Sequence, residues 1–379
     1  MTCFDLIPPR CSIERNEILS IDCRIGGAQR YPSFERRQLH VMRISRIIVS
    51  AFLMFSLLDS VRPRESSAAS APLEKLTIGW SAIAGSQAPF WITKEAGLFE
   101  KNGLDVIMIY LDGGSRATQA MMSGDMPISQ VGGNAPVVAK LRGADITLIA
   151  GLLNVLAYSM VVSPEIKKPE DLRGKKLTVS RFGSNSDYAT RKILIKWGLR
   201  PDIDVAVLQI PGGQPARLAA IQTKQVHGMV AQPPVTNLAR KFKLNIIAEP
   251  EDFGGAYPTT PVAARISFIK DKRETVRKLT RALLEGIHLY KTNKEFSKKV
   301  IGKYVKTDDN DALEDSYQFF SRLVPQKPYP SLDAIKEALA ELSEKDPKVR
   351  SAKPEDFADM SLIKEFDDNG FIDGLYKKR

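Results

Sequence analysis

From Leu76 onward, short runs rich in β-branched residues alternate with stretches of helical spacing, and the junctions carry Gly, Ser, Asn and Pro. The runs are Leu76–Gly79, Val106–Leu111, Ile128–Val131, Ile146–Leu153, Ser159–Val162, Leu177–Ser180, Val205–Ile210, Met229–Ala231, Leu244–Ala248 and Val262–Ile269. Strands that alternate with helices imply parallel α/β sheets. Ten strands in about 200 residues exceed the five or six of a usual sheet, so two sheets in two lobes are expected. After Ile269 the pattern is helical only. Val276, Leu279, Leu283 and Ile287 recur at helical spacing, as do Leu332, Ile335, Leu339 and Leu342, and these faces suit a tail packed back onto the first lobe. The 379 residues are 43% hydrophobic, enough for a sizeable core, and disordered, collagen-like and coiled-coil classes are excluded.

Ahead of the alternating region stands one short apolar run, the 12 residues Ile47 to Leu58, too short for the roughly 20 that span a membrane. Met42, Arg43, Ile44, Ser45 and Arg46 precede it, and the small residues Ser66 to Ala71 follow it. This order reads as a secretory signal peptide over 42–69, with Ser67 at −3 and Ala69 at −1 of the cut. Residues 1–41 then form an extension that is not native, with translation starting at Met42. Composition agrees: residues 1–71 hold ten Arg and no Lys, the remainder 15 Arg and 30 Lys. Cys3, Cys11 and Cys23 all fall in the extension, so the exported chain is expected to hold no disulfide, thiolate nucleophile or Cys-ligated metal. Without a Cys at the cleavage point a lipid anchor is not expected either, and the location inferred is the periplasm, as a soluble protein.

Beyond residue 71 there remain 45 basic against 37 acidic residues. The Lys residues are scattered and not interleaved with aromatics, so this surplus reads as a mildly basic surface rather than a nucleic-acid interface. Enzymatic signatures are missing. No two glycines stand two apart, which excludes the G-x-G-x-x-G dinucleotide fingerprint, and neither a phosphate loop nor H-E-x-x-H occurs. His227 sits at a turn and His288 on the flank of a helix, and their spacing forms neither a metal site nor a triad. No cofactor and no metal are expected.

The segments that follow the strands are the informative part. Ser81 to Ala88 with Pro89, then Gly113–Gly114–Ser115, then Gly132 to Pro136 each open a helix in the first half; Arg181 to Ser186, Pro211 to Pro215 and Gln232 to Pro234 do so in the second. Each is an N-cap signal beside Gly or Pro. In a parallel α/β sheet such helix starts gather at the carboxyl edge of the strands, where free N–H groups and the positive dipole end suit an anion or polar head group. Gly183, Ser184 and Asn185 allow close backbone approach. Among nearby aromatics, Phe182 and Tyr257 are flanked by loop residues and are pocket candidates, whereas Phe90 and Trp91 taken singly suit core packing. Arg116, Arg181 and Arg217 are the candidates for a cation facing the cleft.

Three stretches carry a resemblance: GSQAPFWITKEAGLFEKNGLDVIMIYLDGG at Gly85 to Gly114, MMSGDMPIS after it, and DLRGKKLTVSRFGSNSDYATRKILIKWGL at Asp171 to Leu199. Together they resemble the aliphatic-sulfonate, taurine and nitrate-type periplasmic solute-binding proteins, a superfamily that also contains thiamine-pyrimidine precursor binders and synthases. The resemblance runs from about Leu76 to beyond Phe268 and is specific for the family, not for the ligand.

It implies an α/β, two-lobed type II periplasmic-binding-protein fold, each lobe a mainly parallel sheet flanked by helices. Lobe 1 is expected over 70–160 plus 261–379 and lobe 2 over 161–260, with crossovers at Tyr158 to Pro164 and Glu249 to Pro261. It implies a monomer that closes on a small ligand and delivers it to an ABC permease driven by a cytoplasmic ATPase, with no nucleic acid and no catalysis. Carried over by motif, ligand contacts fall on Ser81, Gln87, Phe90, Gly133, Asn134, Ala135 and Asn154 in lobe 1. Those on lobe 2 are Gly183, Ser184, Asn185 and Gln232, with Thr259 at the hinge. His227 departs from the acidic residue usual at its turn. A sulfonate, carboxylate or similar anion is the expected ligand, and a neutral pyrimidine stacked on Phe182 or Tyr257 the main alternative. An enzyme of the thiamine-pyrimidine synthase branch and a ligand-binding sensor are the rival functions; the absence of Cys after residue 23 weighs against the first.

Overall fold

The computed structural model describes residues 72–377. The expected extension 1–41 and signal peptide 42–69 lie outside the described residues. The elements run, in order, β1 (Glu74–Trp80), α1 (Ala88–Glu95), α2 (Leu98–Lys101), β2 (Leu104–Tyr110), α3 (Gly114–Ser123), β3 (Ile128–Gln130), α4 (Asn134–Leu141) and β4 (Thr147–Gly151). There follow β5 (Ser159–Val162), β6 (Lys176–Val179), α5 (Asn185–Lys196), β7 (Ala206–Gln209), α6 (Gly213–Gln222), β8 (Gly228–Ala231), α7 (Val235–Lys241), β9 (Asn245–Ala248) and β10 (Pro261–Ala264). The chain continues with α8 (Ile266–Asp271), α9 (Arg273–Thr292), α10 (Lys294–Val305), α11 (Asn310–Leu323), α12 (Leu332–Lys345), α13 (Ser361–Asp368) and α14 (Phe371–Tyr376).

The strands sort into two five-stranded sheets, ordered β2-β1-β3-β10-β4 and β7-β6-β8-β5-β9. β1 pairs in parallel with β2 and β3, and β6 with β7 and β8. Not every pairing follows the parallel expectation: β10 is antiparallel to β3 and β4, and β5 to β8 and β9. The reason is topological. The chain leaves the first sheet at the end of β4 and enters the second at the start of β5, then returns from β9 into β10. A strand entered from the edge at which its neighbours end must run against them.

The two connecting segments lie side by side. Tyr257 N–H donates to the Asn154 carbonyl (2.9 Å), Thr259 N–H to that of Leu153 (2.9 Å), and Leu152 N–H to that of Thr260 (3.1 Å). The first connection therefore spans 152–158, because the stretch read as a crossover from Tyr158 holds β5. Gly133 packs against this hinge so closely that a Cβ there would stand 1.5 Å from the Pro258 carbonyl oxygen.

The last strand also ends sooner than its apolar run suggests. Ile266 to Ile269 turn helical because the Asp145 carboxylate accepts hydrogen bonds from the Ser267 backbone N–H (3.1 Å) and hydroxyl at the start of α8. This acceptor for an otherwise free helix-start donor outweighs local β propensity.

The helical C-terminal portion packs on the first sheet's side. Val276, Leu279, Leu283 and Ile287 of α9 are buried in one core with Phe90, Trp91 and Ile92 of α1. The crossing is tight: a Cβ on Gly286 would meet Thr93 Oγ1 at 2.0 Å. A second core, with Val162, Leu177, Val179, Ile193 and Val230, belongs to the second sheet. Among the described residues no helix is long and apolar enough to cross a membrane.

Candidate functional site

The ends of β1, β2, β6 and the loops before α3, α5 and α6 converge on one cavity of about 30 Å³ between the two sheets. Its lining includes Ser81, Ser86 and Gln87 after β1, Asp112, Gly113 and Gly114 after β2, and Gly132 after β3. Facing them are Ser180, Ser184, Asn185 and Ser186 at the start of α5, with Gln214 and Arg217 in the first turns of α6. Tyr158, Thr259 and Thr260 close it from the hinge. Such a volume holds on the order of two waters.

The polar groups are densely cross-linked. Ser180, Ser184 and Ser186 form a triangle of hydroxyls, Oγ to Oγ at 2.9, 3.0 and 3.1 Å. A hydroxyl rotates between donating and accepting, so this cluster can turn donors toward an oxyanion without moving its backbone. Three bonds join the two sides and a fourth, from Asn185, ties the second side to the connecting segment. Ser86 Oγ donates to Gln232 Oε1 (2.8 Å), Asn185 Nδ2 to the Thr259 carbonyl (2.6 Å), Gly212 N–H to Asp112 Oδ2 (2.9 Å) and Gly85 N–H to the Pro233 carbonyl (3.1 Å). The cleft is shut.

Two opposite charges line the cavity. Arg217 and Asp112 are both almost fully buried and stand 3.9 Å apart, Nη1 to Oδ1. Burial disfavours the charged guanidinium, and the Asp112 carboxylate offsets that in part. The Tyr158 phenol is pushed up to about 12, chiefly by burial. Several buried polar atoms here lack a hydrogen-bond partner: Arg217 Nε, Asn185 Oδ1, Gln232 Nε2 and Thr260 Oγ1. Each such group costs about 1–3 kcal/mol, a cost that a partner entering the cleft would relieve. Among the described residues no group of three His, Cys, Asp or Glu is placed to hold a metal ion.

Of the twelve residues expected to contact ligand, Ser81, Gln87, Ser184, Asn185 and Thr259 line the cavity. Gln232 is buried beside it, bonded to Ser86. Phe90 is fully buried against Phe99 in the first core, where the cavity does not reach. Gly133 contacts the hinge, and Asn154 accepts the Tyr257 N–H there. Asn134, Ala135 and Gly183 border a separate outer groove with Met122 and Arg142; the Gly183 N–H is taken by Asp187 Oδ2 (2.8 Å). Neither aromatic pocket candidate lines the cavity. Phe182 is 48% exposed beneath the Arg191 guanidinium, and Tyr257 stacks on Tyr188, centroids 4.5 Å apart. Of the three candidate arginines only Arg217 lines the cavity. Asp112, Ser86, Ser180, Ser186, Gln214 and Tyr158 were not anticipated, although Ser86, Ser186 and Gln214 lie inside the helix-opening segments.

Comparison with known proteins places this geometry. The taurine-binding periplasmic protein of Escherichia coli K12 is 28% identical over 219 residues, covering 56% of this chain and 66% of that protein. The alkanesulfonate-binding protein of Xanthomonas axonopodis pv. citri, solved with MOPS bound, superposes with a TM-score of 0.60 at 18% identity, over 74% of this chain and 95% of that one. The desulfurization enzyme DSZB superposes at 0.55 and 13% identity, over 78% and 99%. At such identities the solved structures establish the fold, a two-sheet periplasmic-binding-protein fold that also serves an enzyme. A family model described as NMT1/THI5 like matches residues 85–295, more than half of the chain, and the chain belongs to that family.

Proposed function

We propose that the protein is the extracytoplasmic solute-binding component of an ABC importer. It closes its lobes, 70–160 with 261–379 and 161–260, on a small organic anion such as a sulfonate or carboxylate, and hands it to an inner-membrane permease served by an ATPase. In this reading it is exported by the signal at 42–69 and works as a soluble periplasmic monomer. The observation that carries the proposal is the cavity in which the helix starts of both sheets, a triangle of serine hydroxyls and the buried Arg217 guanidinium meet. The helix-start N–H groups, the hydroxyls and the guanidinium supply the donors that an oxyanion requires. The taurine- and alkanesulfonate-binding names of its relatives agree with an anion of that kind.

Ligand that touches both sides binds the shut form better than the open one and shifts the hinge equilibrium by that difference in affinity. A cavity of about 30 Å³ admits no such solute until the cleft opens, so capture begins from the open form. In this reading no bond is made or broken, and the one carboxylate of the lining, held by Tyr110 and Gly212, serves to bind and position.

Thermal unfolding of the purified protein against taurine, alkanesulfonates, nitrate, aromatic carboxylates and an aminopyrimidine tests this. A ligand at 100 times its dissociation constant adds about 2.7 kcal/mol, an upward shift of several degrees. No shift across the panel, with native mass spectrometry showing no co-purified solute, contradicts the proposal.

A further inference from the structure

The charge lining the cavity is balanced. Asp112 and Arg217 are its only formally charged residues. At 3.9 Å they are too far apart for a direct hydrogen bond, which for such a pair spans about 2.7–2.9 Å. Each retains capacity. Arg217 donates through Nη1 to the Ile210 carbonyl (3.2 Å), and its buried Nε has no partner. Asp112 accepts from the Tyr110 hydroxyl (2.7 Å) and the Gly212 N–H (2.9 Å), two of the roughly four positions a carboxylate offers.

A ligand that carries only an anion would draw Arg217 away from Asp112 and leave a buried carboxylate facing neutral donors, the costly way to break a buried pair. A ligand that carries a cation as well replaces each partner with an equivalent one. A cation alone is disfavoured, because Arg181, whose Cβ and Cγ pack over Gly113, adds a positive charge that acts on Tyr110, the partner of Asp112. Resting on the solute-binding reading above, we propose that Asp112 is a specificity-determining residue: the cleft selects a zwitterion, its anionic group on Arg217 and its ammonium on Asp112.

Calorimetric titration with two matched pairs tests this, each pair differing only in an ammonium against a methyl group: taurine with 1-propanesulfonate, and β-alanine with butanoate. In the wild-type protein the ammonium-bearing member of at least one pair binds tighter, by about tenfold or more. In Asp112→Asn that preference collapses, and in Asp112→Glu it is partly restored. Three results overturn the inference while leaving a binding protein: the methyl member binds as well in the wild type, Asp112→Asn weakens both members equally, or nitrate binds and neither ammonium compound does. The wild-type comparison needs no variant, so a misfolded substitution does not protect the inference. If none of these compounds binds but an aromatic carboxylate or the aminopyrimidine of the thermal panel does, the inference falls and the solute-binding reading stands; if nothing in that panel binds either, both fall.

Discussion

Gly133 shows how a residue flagged for one reason can matter for another. The family resemblance marked it as a ligand contact, and in the structure it is the point where the first sheet's loop touches the returning hinge segment, with no room for a side chain. Gly133→Ala drives a methyl into the Pro258 carbonyl and is expected to destabilise the protein by about 3 kcal/mol, as overpacking against unyielding backbone does. Urea unfolding checks this, and a loss below about 0.5 kcal/mol would show that the hinge yields. That Ser184 and Asn185 line the cavity was legible, because small polar residues at a helix opening allow close backbone approach. Arg217 was legible only as one candidate of three, since nothing local says which face of α6 turns to the cleft. Asp112 carries no mark at all: its significance comes from Arg217, 105 positions away in the chain and 3.9 Å away in space.

All ten β-branched runs became strands, because half-buried pleated surfaces and fully buried strands both demand such residues. Direction was not legible. β5 and β10 run against their neighbours because of where the chain crosses between sheets, a property of the path rather than of any residue. The helical tail was legible from its spacing, and its ion pairs give it a pH signature. Glu314 of α11 is lowered to about 2 by hydrogen bonds from Gln318 and from Lys298 and Lys294 of α10. A carboxyl lowered in the folded state contributes stability above its ordinary value of 4.5, and loses it as pH falls through about 2. The melting temperature of Glu314→Gln should therefore lie below the wild type's at about pH 6, with the gap closing toward about pH 2. A gap that stays constant over that range would assign the effect to packing instead of charge.

At the scale of the whole molecule, the number of strands already required two sheets, and the helix openings placed a site at the carboxyl edge of the strands; the cleft between two lobes was implied by the family resemblance. The solute was not legible, because helix starts are common to every α/β protein and say only that an anion or polar group is welcome. On the proposed function, ligand shuts a hinged cleft. With all three Cys before residue 24, a chain of residues 70–379 accepts two labels at introduced cysteines, at the exposed positions Gln119 on α3 and Ile195 on α5. The most direct measurement is the distance between those labels, by pulsed electron resonance, with and without the ligand found by thermal unfolding. A broad distribution without ligand that narrows to its short end at saturation is expected. An unchanged distribution at saturating ligand would contradict it.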